Sequence, residues 1–556
     1  MHPVLGSYQN WARIASLLLG RPGDVPRVDL ALPRYRPRAK SRLNPSQRDA
    51  IERALSNAPL TLIEGPPGTG KTTVITEIIR WCILHDRRVL CISPTHLAVD
   101  NVIERLEREA LPFFPYRIGT GSKVGAVQFT HELRFETILE QVREKRLNSA
   151  TLTHHPVQRG QAGRLAAFST VDQLSRLLAL ADASGGDLET LAASMARTFE
   201  ALVGRLSETR RLLLAAEVLD TIPYLRAKQA EAERFQRLDA EGVKELASVL
   251  EASGAAPIFG TTLGFLQARD LVRPDYGEVP FDVLIVDEAS KLTLSHFLPG
   301  ALRARKIVLV GDSQQLPPFQ NEQELKTFRE QGIPPELLDR SIFTFLEQHA
   351  LPSFRTGLNI QYRMHPGIAR YSNLTFYGGR VRNGRFDSVN PIGGTGRIIW
   401  YDDTGHPERM GTSWQNREHL RSIRSILKSL QESPARNGRP LSVGIIAMYG
   451  AQASLIGREL DQFRISYPDL TMEAGTVDGF QGKEADVVIV DLVRKEPRTG
   501  VLNFINNPER LNVAFTRARD LLFVVGDRKT FQKPRYHVSP LFADPDLDIQ
   551  RHTVGS

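Results

Sequence analysis

Cysteine is nearly absent from this 556-residue chain: Cys82 and Cys91 stand apart, with no Cys-x-x-Cys pair. That argues against a disulfide framework, a thiolate zinc cluster and an iron–sulfur cluster, and it fits a reducing compartment. Long apolar runs are missing too. None approaches the roughly 20 residues of a membrane-spanning helix. Ala15-Ser-Leu-Leu-Leu19 is too short for a secretory leader, and no small-residue cleavage site follows it. A cytoplasmic protein with no membrane partner is expected. Charge of one sign is in modest excess, 71 Lys and Arg against 63 Asp and Glu, for a formal charge of +8. A polyanionic partner would suit that balance, which by itself decides nothing. The hydrophobic fraction of 41% and aromatic fraction of 7% describe an ordinary globular protein. At roughly 100–200 residues per domain the length allows several domains.

What the chain does contain is Gly65-Pro-Pro-Gly-Thr-Gly-Lys-Thr72, which fits the pattern Gly, four residues, Gly-Lys, Ser or Thr. The flanks supply the context this phosphate loop needs. Leu60 to Ile63 is a short apolar run, and Thr72 to Ile79 has helical spacing. Gly65, Gly68 and Gly70 let the backbone turn its N–H groups toward phosphate oxygens. The helix opening at Lys71 adds its positive dipole end. The expectation is that residues Gly65, Pro66, Pro67, Gly68, Thr69, Gly70, Lys71, Thr72 and Thr73 bind ATP. Lys71 should reach the β- and γ-phosphates, and the Thr72 hydroxyl should hold Mg²⁺.

Along the chain, residues 1–43 form a basic N-terminal arm whose proline- and arginine-rich part reads as an extended linker, with phosphate-backbone contact as the alternative. Strand–helix–strand patterning occupies 44–129 and resumes at 251–350, with Arg88–Ser93, Phe281–Val286 and Lys306–Val310 as apolar strands. Between them, 130–250 is rich in Ala, Leu, Glu and Arg and reads as a helical insertion, with helices at Ala201–Leu219 and Tyr224–Leu250. A second α/β series fills 351–540. Its strands are Arg397–Tyr401, Leu441–Met448, Ala485–Val493 and Leu521–Val525; its helices are Asn416–Glu432, Ala451–Phe463 and Pro508–Arg519. Residues 541–556 form a tail. Continuous apolar strands alternating with helices predict parallel sheets covered on both faces. The fold class is therefore α/β, with two such domains and a cleft between them.

Asp287-Glu-Ala-Ser290 follows a buried-type strand, at the end where α/β sheets place ligand groups. Asp287 is placed to bind Mg²⁺, and Glu288 to take a proton from, or orient, an attacking water. Gln315, in Gly311-Asp-Ser-Gln-Gln-Leu316, can sense a γ-phosphate or water without adding charge. Arg363 and Arg517 lie beyond the first sheet. An arginine supplied across a cleft is worth about 10³–10⁵ in phosphoryl-transfer rate.

The ordered set of motifs resembles a superfamily 1 helicase of the branch that includes the nonsense-mediated-decay and senataxin-type helicases. It comprises Leu43-Asn-Pro-Ser-Gln47, the phosphate loop, Ser93 to Asn101, Arg117 to Gly121 and Gly260 to Gly264. It continues through Asp287 to Ser290, Gly311 to Leu316, Gln361 to Pro366, Gly475 to Glu484 and Asn512 to Arg519. The resemblance covers about 44–129 and 250–530. It implies two RecA-like domains with ATP between them and stepwise travel, typically 5′ to 3′, along single-stranded DNA or RNA. It further implies that Gln47 reads the adenine edge, Tyr362 packs on the base and Glu484 holds the ribose. Pro94, Thr95, His96, Thr261, Thr262 and Thr476 would line the strand, their hydroxyls bonding phosphate or sugar without reading sequence. Thr95 and Thr476 as plain caps is the alternative.

Against the family pattern, the 43 residues before Asn44 lead to the expectation of no small β-barrel ahead of the first motif; the cysteines are too few for a zinc module, and Lys291 stands where glutamine is common. The insertion at 130–250 reads equally as a duplex-splitting or protein-docking element or as a structural prop. A strand-stimulated ATPase working as a binding or remodelling subunit is the second functional expectation, beside an autonomous helicase.

Overall fold

The computed structural model describes residues 42–85, 87–108, 115–118, 171–204, 206–236, 257–267, 280–318, 340–386, 390–403, 405–497, 502–543 and 547–550, with a few isolated positions before 42 and between 326 and 330. Most of the basic arm, residues 130–170 and 237–250 of the insertion, and the end of the tail lie outside them. Among the described residues no helix is long and apolar enough to cross a membrane.

The strands in chain order are β1 Leu60–Glu64, β2 Val89–Ser93, β3 Tyr116–Ile118, β4 Ile258–Thr261, β5 Phe281–Val286, β6 Ala304–Gly311, β7 Arg355–Gly357, β8 Ile360–Gln361 and β9 Arg382–Asn383. They continue as β10 Ile398–Asp402, β11 Glu408–Met410, β12 Ser413–Gln415, β13 Leu441–Ala447, β14 Leu470–Thr476, β15 Ala485–Asp491, β16 Ala518–Gly526 and β17 Leu547–Gln550. Two compact units result. One is bounded by Met1–Ile63, Thr72–Gly311 and Glu322–Thr356; the other by Glu64–Lys71, Asp312–Asn321 and Gly357–Ser556.

The first unit holds a seven-stranded sheet in the order β3-β4-β2-β5-β6-β1-β7. The run from β3 to β6 is parallel throughout. Its central strands are apolar on both faces, as a sheet covered by helices requires: Leu90, Ile92, Leu284, Val286, Ile307 and Leu309 have no exposed surface. The helix Pro45–Leu55 starts at a capping box. The Asn44 side chain accepts from the Gln47 N–H at 2.9 Å, and the Gln47 side chain accepts from the Asn44 N–H at 3.1 Å.

The insertion is helical where it is described, at Val171–Ala183, Leu188–Thr198 and Glu208–Gln236. It builds a small core of its own from Leu177, Leu191, Met195, Ala215 and Val218. The helix expected at 201–219 instead starts at Glu208, after a π turn at Glu200–Gly204, and runs unbroken to Gln236.

The second unit holds a six-stranded sheet, β14-β13-β15-β16-β10-β17, parallel at every pairing. Helix His419–Glu432 covers one face through Ile423, Ile426, Leu427 and Leu430, the i, i+3, i+4, i+7 stripe of an amphipathic helix. The helix expected over 508–519 stops at Phe515. Thr516 turns its hydroxyl back onto the Asn512 carbonyl at 2.6 Å, and the chain enters β16 at Ala518. Arg517 is therefore fixed in a tight helix-to-strand turn. Strand β14, at the sheet edge, was not expected, because Leu-Thr-Met-Glu-Ala-Gly-Thr is too polar to read as a strand.

Candidate ATP and nucleic-acid site

The phosphate loop is built by two demands on backbone space. Gly68 and Gly70 have φ of +74° and +87°, a region that side chains disfavour. A Cβ on Gly65 would lie 2.5 Å from Cγ of Lys71, so the loop closes around the lysine stem. Lys71 Nζ donates to the Gly65 carbonyl at 2.6 Å, and the Thr69 hydroxyl donates to the Pro66 carbonyl at 2.7 Å. These bonds hold a cradle of backbone N–H groups whose shape suits a phosphate chain. Pro66 and Pro67 are buried beside it. Thr72 and Thr73 open the helix Lys71–Leu84, whose residues from Val74 to Arg80 are buried.

Asp287 leaves the end of β5 with 5% of its surface exposed and accepts from the Glu288 N–H at 2.8 Å. Glu288 has φ 53° and ψ 38°. A non-glycine residue in the left-handed region typically stores about 1–3 kcal/mol of strain, and such residues cluster at functional sites. Thr72 and Asp287 offer the hard oxygen ligands that Mg²⁺ prefers. Among the described residues no group of three or more His, Cys, Asp or Glu could hold a metal.

Gln315 is buried and donates its side-chain N–H to Asp312 at 2.6 Å. Burial pushes the Asp312 carboxyl up, and Lys71, Gln315 and Tyr377 only partly offset it. The Tyr377 hydroxyl donates to the same carboxylate at 2.7 Å and accepts from the Asn512 side chain at 2.7 Å. Burial and the neighbouring Asp312 push the Tyr377 hydroxyl well above its ordinary range, so it stays a neutral donor. Asp312 and Tyr377 were not singled out from the sequence. Asp312 lies inside the quoted motif; Tyr377 carries no local signal.

Arg363 sits on the tip of the phosphate loop. The Tyr362 N–H donates to the Gly68 carbonyl at 2.9 Å, and a Cβ on Gly68 would be 2.6 Å from Arg363 Cβ. The guanidinium donates to Glu484 at 2.6 Å and to the Thr516 carbonyl at 3.3 Å. Burial alone would raise the Glu484 carboxyl, but Arg363, then Arg519 and Arg517, outweigh it and hold it below the usual range. Arg517, 2% exposed, donates to the Val513 carbonyl at 2.9 Å and the Lys483 carbonyl at 3.3 Å. Tyr362 is 43% exposed. The structure thus brings Lys71, Gln315, Arg363, Arg517, Tyr362 and Glu484 into one unit. Gln47, Thr72, Asp287 and Glu288 belong to the other.

Three of the six expected strand contacts, Thr95, Thr261 and Thr476, act as local caps. The Thr95 hydroxyl accepts from the Ala98 N–H at 3.4 Å, Thr261 from Gly264 at 2.9 Å and Thr476 from Gly479 at 3.4 Å. A hydroxyl that accepts keeps its proton to donate, so capping and phosphate binding are compatible. Pro94 leads from β2 into the helix His96–Arg108, and His96 accepts from Arg117 at 3.1 Å. Arg117 is itself buried against Asp100 at 2.8 Å. Thr262, 4% exposed, starts a short helix after β4.

Two α/β units and a phosphate loop define a P-loop nucleotide-binding protein. Two family models, each described as an AAA domain, match residues 42–321 and 338–529. The DNA-binding protein SMUBP-2 of Rattus norvegicus is 28% identical over 506 residues, covering 88% of this chain and 43% of that protein. ATP-dependent helicase upf1 of Schizosaccharomyces pombe is 27% identical over 515 residues, covering 88% and 45%. Helicase SEN1 of Saccharomyces cerevisiae is 23% identical over 535 residues, covering 89% and 23%. The chain spans less than half the length of these relatives. Among solved structures, the arterivirus nonstructural protein 10 helicase is 12% identical, with a TM-score of 0.35 over 87% of this chain and 63% of that one. The chain belongs to the AAA-domain family of these models and, within it, to the superfamily 1 helicases of the nonsense-mediated-decay and senataxin-like branch.

Proposed function

We propose that the chain hydrolyses ATP to move 5′ to 3′ along single-stranded DNA or RNA, opening duplex as it goes. One observation supports this reading most: the Tyr362 N–H donates to the Gly68 carbonyl at 2.9 Å, and a Cβ on Gly68 would meet the Cβ of Arg363 at 2.6 Å, so the base of that arginine lies against the tip of the phosphate loop. On this reading Lys71 leaves the Gly65 carbonyl for the β- and γ-phosphates. Arg363 and Arg517 meet the negative charge that develops on the γ-oxygens. Glu288 orients the attacking water and takes its proton, and Gln315, oriented by Asp312, reports on the γ-phosphate. Thr72 and Asp287 would hold Mg²⁺, which when bound neutralises phosphate charge. Gln47 and Tyr362 take the adenine and Glu484 the ribose.

Pro94, Thr95, His96, Thr261, Thr262 and Thr476 line the strand. Residues 44–129 with 251–350, and 351–540, act as the two motor domains; 130–250 serves as the candidate protein-docking or duplex-splitting element. The two free, buried cysteines suit a cytoplasmic setting.

Phosphate release measured side by side with single-stranded RNA and single-stranded DNA tests the reading, together with strand displacement on a duplex bearing a 5′ overhang. Strand-stimulated turnover with unwinding is expected. Stimulation without unwinding would favour a remodelling subunit, and no hydrolysis under any condition would overturn the motor.

A further inference from the structure

An aromatic and arginine ladder occupies the carboxyl-end rim of the second sheet, and none of the helicase motifs above accounts for it as a whole. It draws on Trp414 in β12, Tyr449 after β13, Arg494 and Phe504 after β15, and Arg510 in the helix Pro508–Phe515. The Arg494 guanidinium lies 4.0 Å from the centre of the Trp414 ring and donates to the Tyr449 hydroxyl at 3.4 Å. The Tyr449 ring is 5.0 Å from that of Phe504 and tilted by 31°. Arg510 lies 4.4 Å over Phe504 and pairs with Asp478 at 2.8 Å. Asp478 is two residues from Thr476, so the ladder continues the line of one proposed strand contact.

The ladder is held from beneath. Asp491, fully buried at the end of β15, accepts from the Gln452 side chain at 2.7 Å and from the Val493 N–H at 2.8 Å. Gln452 in turn accepts from the Asn416 N–H at 2.7 Å, and the Asn416 side chain donates to the Val493 carbonyl at 3.1 Å. Each of these four residues sits within three positions of Trp414, Tyr449 or Arg494, and their bonds join the segments that carry those three side chains. Val493 has φ +66°, a strained value for a β-branched residue. That strain turns the chain out of the strand and delivers Arg494 to the Trp414 ring.

Such a surface suits one ligand chemistry. Phe504 is 45% exposed, so part of its ring meets solvent beside the two arginines. Arginines stacked on aromatic faces keep their N–H edges for phosphate. Bases stack on rings regardless of sequence. We propose that this ladder is a base-stacking platform for single-stranded nucleic acid, with a base resting on Phe504 and with Arg494 and Arg510 on the backbone phosphates. The platform rests on the motor reading above. It adds to it that the second unit grips bases as well as backbone.

The test is fluorescence anisotropy with a labelled oligothymidylate and with an abasic strand of the same length. Phe504→Ala should bind the base-bearing strand about 5- to 150-fold more weakly, the size of a lost base–aromatic stack. Phe504→Tyr should restore binding. On the abasic strand wild type and Phe504→Ala should be alike, which a merely structural effect would not produce. Arg494→Ala should lower the slope of log affinity against log salt by about one. If wild type binds the strand and Phe504→Ala binds within twofold of it, the platform is refuted while the motor stands. If Phe504→Ala weakens both strands equally, stacking is likewise refuted. A wild type that binds no single strand overturns both.

Discussion

Gly68 gives a sharp test of the loop's seat on Arg363. Its φ of +74° places an alanine in the left-handed region, at about 1–2 kcal/mol. The added Cβ would also lie 2.6 Å from Arg363 Cβ and 3.0 Å from its backbone nitrogen. Backbone cannot swing aside as a side-chain tip can, so overpacking adds about 1–3 kcal/mol. Gly68→Ala is thus expected to disturb the loop by about 2–5 kcal/mol in total. Gly438 is a matched control: its φ is +72°, and a Cβ there meets nothing within 4 Å. Gly438→Ala should therefore show the backbone strain alone, seen in thermal unfolding, with wild-type ATP turnover. Gly68→Ala should lose turnover at least tenfold, since every 1.4 kcal/mol or so of misplacement costs a factor of ten. Turnover of Gly68→Ala equal to that of Gly438→Ala would show that the contact with Arg363 is irrelevant to catalysis.

Other consequences follow from single residues. Glu288→Gln should abolish ATP turnover while the protein still binds a fluorescent ATP analogue; strand-stimulated phosphate release by this variant would remove Glu288 as the base. Trp400 is fully buried and donates to the Gly526 carbonyl at 3.1 Å, so Trp400→Ala should lower stability by about 3–5 kcal/mol in denaturant titration. A loss under about 1 kcal/mol would mean that the second sheet's core is wrongly assigned. His419 is buried, which disfavours its charge, but Asp491 at 2.6 Å and Asp403 outweigh this and raise its pKa above the ordinary 6.5. Stability from the charged pair is then complete below that ordinary value and lost as pH rises through the raised one. The thermal midpoint should fall in wild type as pH rises from the ordinary value through the raised one, and fall less in His419→Gln; equal slopes would contradict a charged His419.

The sequence exposes most of the α/β architecture because its central strands are buried on both faces. Phe281–Val286 and Ala485–Val493 read as strands from apolarity alone; the first matches the structure and the second ends two residues earlier, at Asp491. Strand β14 hides because it is a polar sheet edge. The helix before Arg517 ends earlier than its sequence suggests because Thr516, Arg517 and Ala518 are compatible with a helix; only the bond from Thr516 back to Asn512 and the start of β16 end it. In the site, glycine spacing betrays the phosphate loop, since few other residues can make those turns. The Asp312–Tyr377–Asn512 chain was illegible because its members are separated by 65 and 135 positions. Side-chain pairing across such separations leaves no local pattern. The same holds for Trp414, Arg494 and Phe504, which only the rim of the sheet brings together.

Single-turnover hydrolysis by Arg363→Ala, measured beside its ATP affinity, bears most directly on the motor. If the arginine seated on the phosphate loop meets the charge that develops on the γ-oxygens, the hydrolysis rate should fall by about 10³–10⁵ while ATP binding changes far less. A rate within tenfold of wild type would contradict that role and leave the proposed coupling of ATP to movement without its catalytic arginine.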